Sequence, residues 1–126
     1  MRRLAVLALL IPVMAQALPG DKSLAQVVVT PRADGFSIAL RDVSGPRHAW
    51  CLAARYAQLA YKAPANARLY AVGEEAGQLG FTLTPVADGR TAGQGGNYSL
   101  TADEPGYNLM ISHAIGFCVD EVDDGS

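Results

Sequence analysis

The sequence predicts an α+β fold: a small antiparallel β-sheet covered on one face by one long helix, at about residues 46–62, with a short helix near the C terminus and one disulfide. Three observations carry that prediction. Two pairs of short segments, rich in β-branched and aromatic residues and separated by turn residues, alternate with period two. One Ala- and Leu-rich stretch, 48–62, runs without Gly or Pro. Two cysteines, Cys51 and Cys118, offer a single pairing.

The first strand is read over 26–30, with Val27, Val28 and Val29 at its centre. Residues 31–35 carry turn chemistry, ending in Asp34-Gly35. Phe36, Ile38 and Leu40 then alternate with Ser37, Ala39 and Arg41, which completes a β-hairpin. Ser44 is placed to cap the helix and Pro46 to occupy its first turn, where proline is tolerated. Within the helix, Cys51, Ala54, Gln58 and Tyr61 share one face, and Leu52, Tyr56 and Leu59 the adjoining one. The apolar arc is therefore wide. Pro64 ends the helix.

A second hairpin follows. Residues 68–72 form a strand, 73–77 a turn, and 79–84 a strand with Leu79, Phe81 and Leu83 on one face. Residues 85–96 are a glycine-rich loop, and 98–101 a short third strand. The C-terminal stretch reads in two ways. Residues 107–111 extend as a strand, or Ser112 caps a short helix through Cys118 that Gly116 weakens. The preferred reading is a strand ending near Met110 and then the helix. Residues 120–126 form an acidic, polar tail.

The N terminus carries an address. Arg2 and Arg3 precede an uncharged apolar run of 11 residues, 4–14, and Ala15-Gln16-Ala17 places small residues where a signal peptidase reads. Crossing a bilayer as a helix takes about 20 residues, so residues 1–17 are expected to be a secretory signal peptide. Residues 18–126 are then one exported domain, periplasmic or extracellular, that does not span the membrane. In an oxidising compartment an even cysteine count implies a Cys51–Cys118 bridge. A bridged Cys51 holds no thiolate and is no resting nucleophile. There is no Cys-x-x-Cys.

The chain has 126 residues, half of them apolar and 17% charged, which fits one folded domain and excludes disorder. A net charge of -2 supplies no basic field for a nucleic-acid backbone, so no nucleic-acid partner is expected. His48 or His113 with Asp103 or Glu104 would be the acid–base pair of a small secreted hydrolase. Ser112 adjoins His113, but neighbouring residues point apart, and there is no Gly-x-Ser-x-Gly. His48, His113 and the tail carboxylates Asp120, Glu121, Asp123 and Asp124 are the only metal-ligand candidates. They lack the spaced pattern of a calcium loop, so no metal is expected. Gly89, Gly93, Gly95 and Gly96 lack the endings of a phosphate or dinucleotide loop, and no cofactor is expected. Trp50, Tyr70, Tyr98 and Tyr107 are the candidates for an aromatic binding surface.

The segments Trp50-Cys51-Leu52-Ala53-Ala54-Arg55-Tyr56-Ala57, Ala67-Arg68-Leu69-Tyr70-Ala71-Val72 and Gly116-Phe117-Cys118 resemble those of small uncharacterised exported proteins of alphaproteobacteria. That resemblance implies export, a helix-borne cysteine and a second cysteine near the end, and carries over no site residues. The function expected from the sequence is an exported, non-catalytic domain that binds a protein or envelope component. The alternatives are the small hydrolase named above and a ligand- or metal-binding protein.

Overall fold

A computed structural model describes residues 22–86, the backbone of 90–91, and residues 101–118. The signal peptide expected at 1–17, most of the glycine-rich loop, residues 98–100 of the expected third strand, and the acidic tail 120–126 lie outside the described residues.

The elements in order are β1 (Val29–Arg32), β2 (Gly35–Ala39), α1 (Pro46–Tyr61), β3 (Arg68–Glu75), β4 (Gln78–Thr82), β5 (Arg90–Thr91), β6 (Tyr107–Met110) and α2 (Ile111–Gly116). They form one sheet of order β1-β2-β4-β3-β6-β5. Five strands pair antiparallel, and the two-residue β5 adds to β6 in parallel. This is the small α+β fold that the sequence predicts.

The faces follow from register. Val29 pairs with Ile38, Phe36 with Phe81, Ala71 with Phe81, and Leu69 with Leu109. These residues line one face, which α1 covers with Ala49, Trp50, Ala53, Ala54 and Ala57. Aromatic rings hold the layers together. Trp50 meets Phe81 edge-on at 5.4 Å, and Phe36 lies 4.6 Å from Tyr56 and 5.9 Å from Phe81. Such pairs add about 1 kcal/mol each beyond the area they bury. The Tyr61 hydroxyl donates to the Gly35 carbonyl at 3.0 Å, tying the end of α1 to the first hairpin.

Several boundaries differ from the sequence reading, each for a local reason. Residues 24–26 make a 3-10 turn, so β1 starts at Val29. The Gln26 side chain accepts from the Ser23 amide at 2.8 Å, which favours the turn over extension. Gly45, not Ser44, occupies the N-cap of α1, with Pro46 at the first helical position. His48, in the first turn, reaches back: its Nδ1 accepts from the Ser44 amide at 3.0 Å. Lys62, with φ 55, takes the left-handed position that ends the helix. Strand β3 runs to Glu75 because a register shift between Ala71 and Gly73 lets pairing with β4 continue past the point where the turn was expected. The turn itself is Ala76-Gly77, both at positive φ. Met110 sits at the N-cap of α2, so Ser112 lies inside that helix rather than capping it.

Helix α2 packs on α1, on the covered side. The Cys51–Cys118 disulfide joins them, with a Cα–Cα distance of 5.1 Å across a sequence separation of 67. A bridge closing a loop of that length contributes about 4 kcal/mol in the chain-entropy treatment.

Candidate functional site

Four places in the fold gather chemistry-bearing side chains. The first is the start of α1. His48 is 4% exposed. Its Nε2 lies 2.8 Å from the Lys22 carbonyl, while Nδ1 takes the Ser44 amide proton. A carbonyl needs a donor and an amide needs an acceptor, so these partners assign a neutral ring protonated at Nε2. Nε2 ties the lead segment to the helix, and Nδ1 ties the residue that precedes the N-cap. The ring is buried between the lead segment and the first turn of α1.

Asp42 works beside it. Its carboxylate accepts from Lys22 Nζ at 2.8 Å and from the Val28 amide at 2.9 Å. The Lys22 hydrogen bond, then the Val28 amide, hold its carboxyl below the ordinary value of 3.8, against the opposing effect of burial.

The second place is a groove of about 300 Å³ at the same end of α1, with an apolar floor of Leu40, Val43, Ala49 and Leu79 and with Ser44 and Asp103 also lining it. Asp103 and Glu104 are exposed. Among the described residues, neither histidine hydrogen-bonds or ion-pairs with them. His113 is exposed on α2, its ring 5.4 Å from that of Phe117. Among the described residues no group of three or more His, Cys, Asp or Glu is placed to hold a metal ion.

The third place is the bridge. Arg55 Nε donates to Cys118 Sγ at 3.2 Å. Arg47, two turns earlier on the same stripe of α1, sets its guanidinium 5.2 Å from the centre of the Phe117 ring.

The fourth is the sheet face turned away from α1. Arg68, Tyr70 and Val72 project there from β3 by alternation with Leu69 and Ala71. Met110 pairs with Arg68, and Asn108 with Tyr70. On the other side Tyr70 pairs with Thr82. Arg68 Nε donates to Asn108 Oδ1 at 2.7 Å, and Asn108 Nδ2 to the Gly106 carbonyl at 3.1 Å, so the polar members are held in place. Ser37, Gly80, Thr82 and Asn108 are buried at the centre of this face, the Val72 side chain lying against Gly80. Val72 is 40% and Met110 37% exposed. Among the described residues no helix lies over this face.

The four aromatic candidates separate. Trp50 is fully buried in the core, and Tyr107 packs against it. Tyr70 lies on the open face, and Tyr98 is outside the described residues. The sequence reading missed Arg68, Val72, Asn108 and Met110. The alternation of Arg68, Tyr70 and Val72 with Leu69 and Ala71 was the available signal for the first two. The pairing of β6 with β3, which brings Asn108 and Met110 beside them, has no local signal.

Compared with known proteins, the chain matches no family model, no curated protein and no solved structure.

Proposed function

We propose that this is an exported domain that binds a protein or other envelope component through the open face of its sheet. The observation that carries the reading is the exposure of Val72 and Met110 beside Tyr70 and Arg68, on strands whose other face buries Leu69, Ala71 and Leu109. Apolar side chains grouped on a framework with an anchored arginine and a tyrosine are what protein contact surfaces use. The disulfide suits the oxidising compartment that export implies.

The face, rather than the β1 edge, is the surface offered. Ala39 donates to the Val28 carbonyl. The alternation of an antiparallel ladder then turns position 31 toward the free edge. Pro31 has no amide hydrogen to offer there, which discourages addition of another strand.

A photo-crosslinking residue placed at Val72, in the protein expressed in its own host, tests the reading. A discrete adduct from Val72, absent when the same residue replaces the more exposed Leu59 on α1, is expected. Adducts from Leu59 and none from Val72 would refute it.

A further inference from the structure

We propose that the open face of the sheet takes an acidic segment of a protein partner, with an Asp or Glu carboxylate seated on Arg68 and a neighbouring apolar side chain on Met110. This rests on the reading of that face as the contact surface and gives the chemistry of what meets it. Arg68 is half-buried, and its Nε donates to Asn108 Oδ1 at 2.7 Å. Asn108 is 6% exposed, and its Nδ2 donates to the Gly106 carbonyl at 3.1 Å. The Nε edge of the guanidinium is therefore anchored. Its two terminal nitrogens make no hydrogen bond or ion pair among the described residues. Those two nitrogens are the part of the planar fork that matches the two oxygens of a carboxylate.

Charge selects the class of partner. Strands β3, β4 and β6 hold no second Lys or Arg. Glu74 and Glu75, at the far end of β3, form no ion pair with Arg68. One anchored positive charge thus waits for one negative charge. A carboxylate supplies that, whereas a phosphate-rich polyanion needs several cations in a row. Arg68 and Met110 stand opposite each other in register, and Val72 follows Arg68 by four residues on the same strand. Side chains of cross-strand partners are about 5 Å apart. The carboxylate and the apolar side chain that meet them therefore come from one short stretch of the partner.

The anchor raises both strength and selectivity. A free surface arginine loses rotamer freedom when it is bound, and Arg68 has lost part of that freedom on folding. The apolar neighbours Met110 and Val72, 37% and 40% exposed, keep water from one side of the pair once a partner is seated. Lysine at this place would keep the charge and lose the fork, so it is not an equivalent exchange.

The test uses the protein purified from its own host and the partner that a crosslinker at Val72 captures, also purified. In calorimetry Arg68→Gln is expected to weaken binding at least about tenfold, and Arg68→Lys by less. The chain has two lysines, Lys22 and Lys62, so the amine that Arg68→Lys introduces is easily told apart. In the complex of that variant, a water-soluble carbodiimide should join the new amine to a partner carboxylate. An amide bond forms, and the carbodiimide takes up the water that is lost. Peptide mapping by mass spectrometry is expected to place the link between position 68 and an Asp or Glu. An affinity unmoved by Arg68→Gln, amides confined to Lys22, Lys62 and the N terminus, or a captured component that is not a protein would overturn the proposal and leave the face as the contact surface. Capture from Leu59 with none from Val72 would remove that reading itself, and the proposal with it. Should Arg68→Gln lose its circular dichroism spectrum, the amide at position 68 decides: its presence supports the proposal and its absence overturns it.

Discussion

The two faces of the sheet are written on the same strands and do different work. On β3, Leu69 and Ala71 are fully buried under α1, while Tyr70 and Val72, one residue away, face outward and Val72 stays 40% exposed. On β6, Leu109 is buried and Met110 is not. The covered face carries interlocked rings and the staple, so it holds the stability. The opposite face buries Ser37, Gly80, Thr82 and Asn108 at its centre and leaves Val72 and Met110 exposed, so its contact surface is confined to that patch. Period-two alternation lets one strand serve both without compromise.

The largest expected effects sharpen that contrast. Phe81→Ala removes the ring that Trp50 and Phe36 both touch, and is expected to cost about 4 kcal/mol. Val72→Ser on the opposite face is expected to stay within about 0.5 kcal/mol. Urea titration of the two variants measures both. Similar losses would mean that the open face is part of the core.

Two glycines on the Ser37 face differ in what a side chain there would meet. A Cβ on Gly35 would land on the Phe81 backbone carbonyl oxygen, and one on Gly80 on the Val72 side-chain methyl. Backbone in a central strand cannot move aside, whereas the half-exposed Val72 can turn. Gly35→Ala is expected to lose about 3 kcal/mol and Gly80→Ala about 1 kcal/mol. Thermal melts of both would blur the distinction only if the two losses match.

How much of this was legible follows from what is local. Helix α1 was bounded by its own punctuation: Pro46 at its first position, and Pro64 just beyond the Lys62 cap. The first hairpin was visible in Asp34-Gly35 and in the alternation of Phe36 and Ile38. The bridge followed from the cysteine count. What failed to show needed contacts across the chain. Trp50 looked like surface because helical spacing does not say which part of a wide apolar arc meets the sheet. His48 looked like a base because its two partners, the Ser44 amide and the Lys22 carbonyl, are backbone groups that carry no sequence signature. The open patch depends on the register of β6 against β3, which a sequence-distant pairing sets.

The smallest effect concerns pH. The folded protein holds Asp42 below its ordinary value of 3.8, whereas the unfolded chain takes up the proton there. Below that point the unfolded state binds more protons, so the contribution of Asp42 is complete above it and is lost as pH falls through the folded value. Asp42→Asn removes this dependence. Its melting temperature, followed from pH 5 down to pH 2, should approach that of the wild type as acid is added. Parallel curves would show that the Lys22–Asp42–Val28 strap does not set the acid response.

The claim that the open face is the contact surface meets its most direct test in the affinity of the purified partner recovered from Val72. Measured by calorimetry, Val72→Asp with Met110→Asp should weaken binding at least about a hundredfold, nearly 3 kcal/mol at a buried contact, with the melting temperature unchanged. An unchanged affinity in a fully folded double variant would contradict the account.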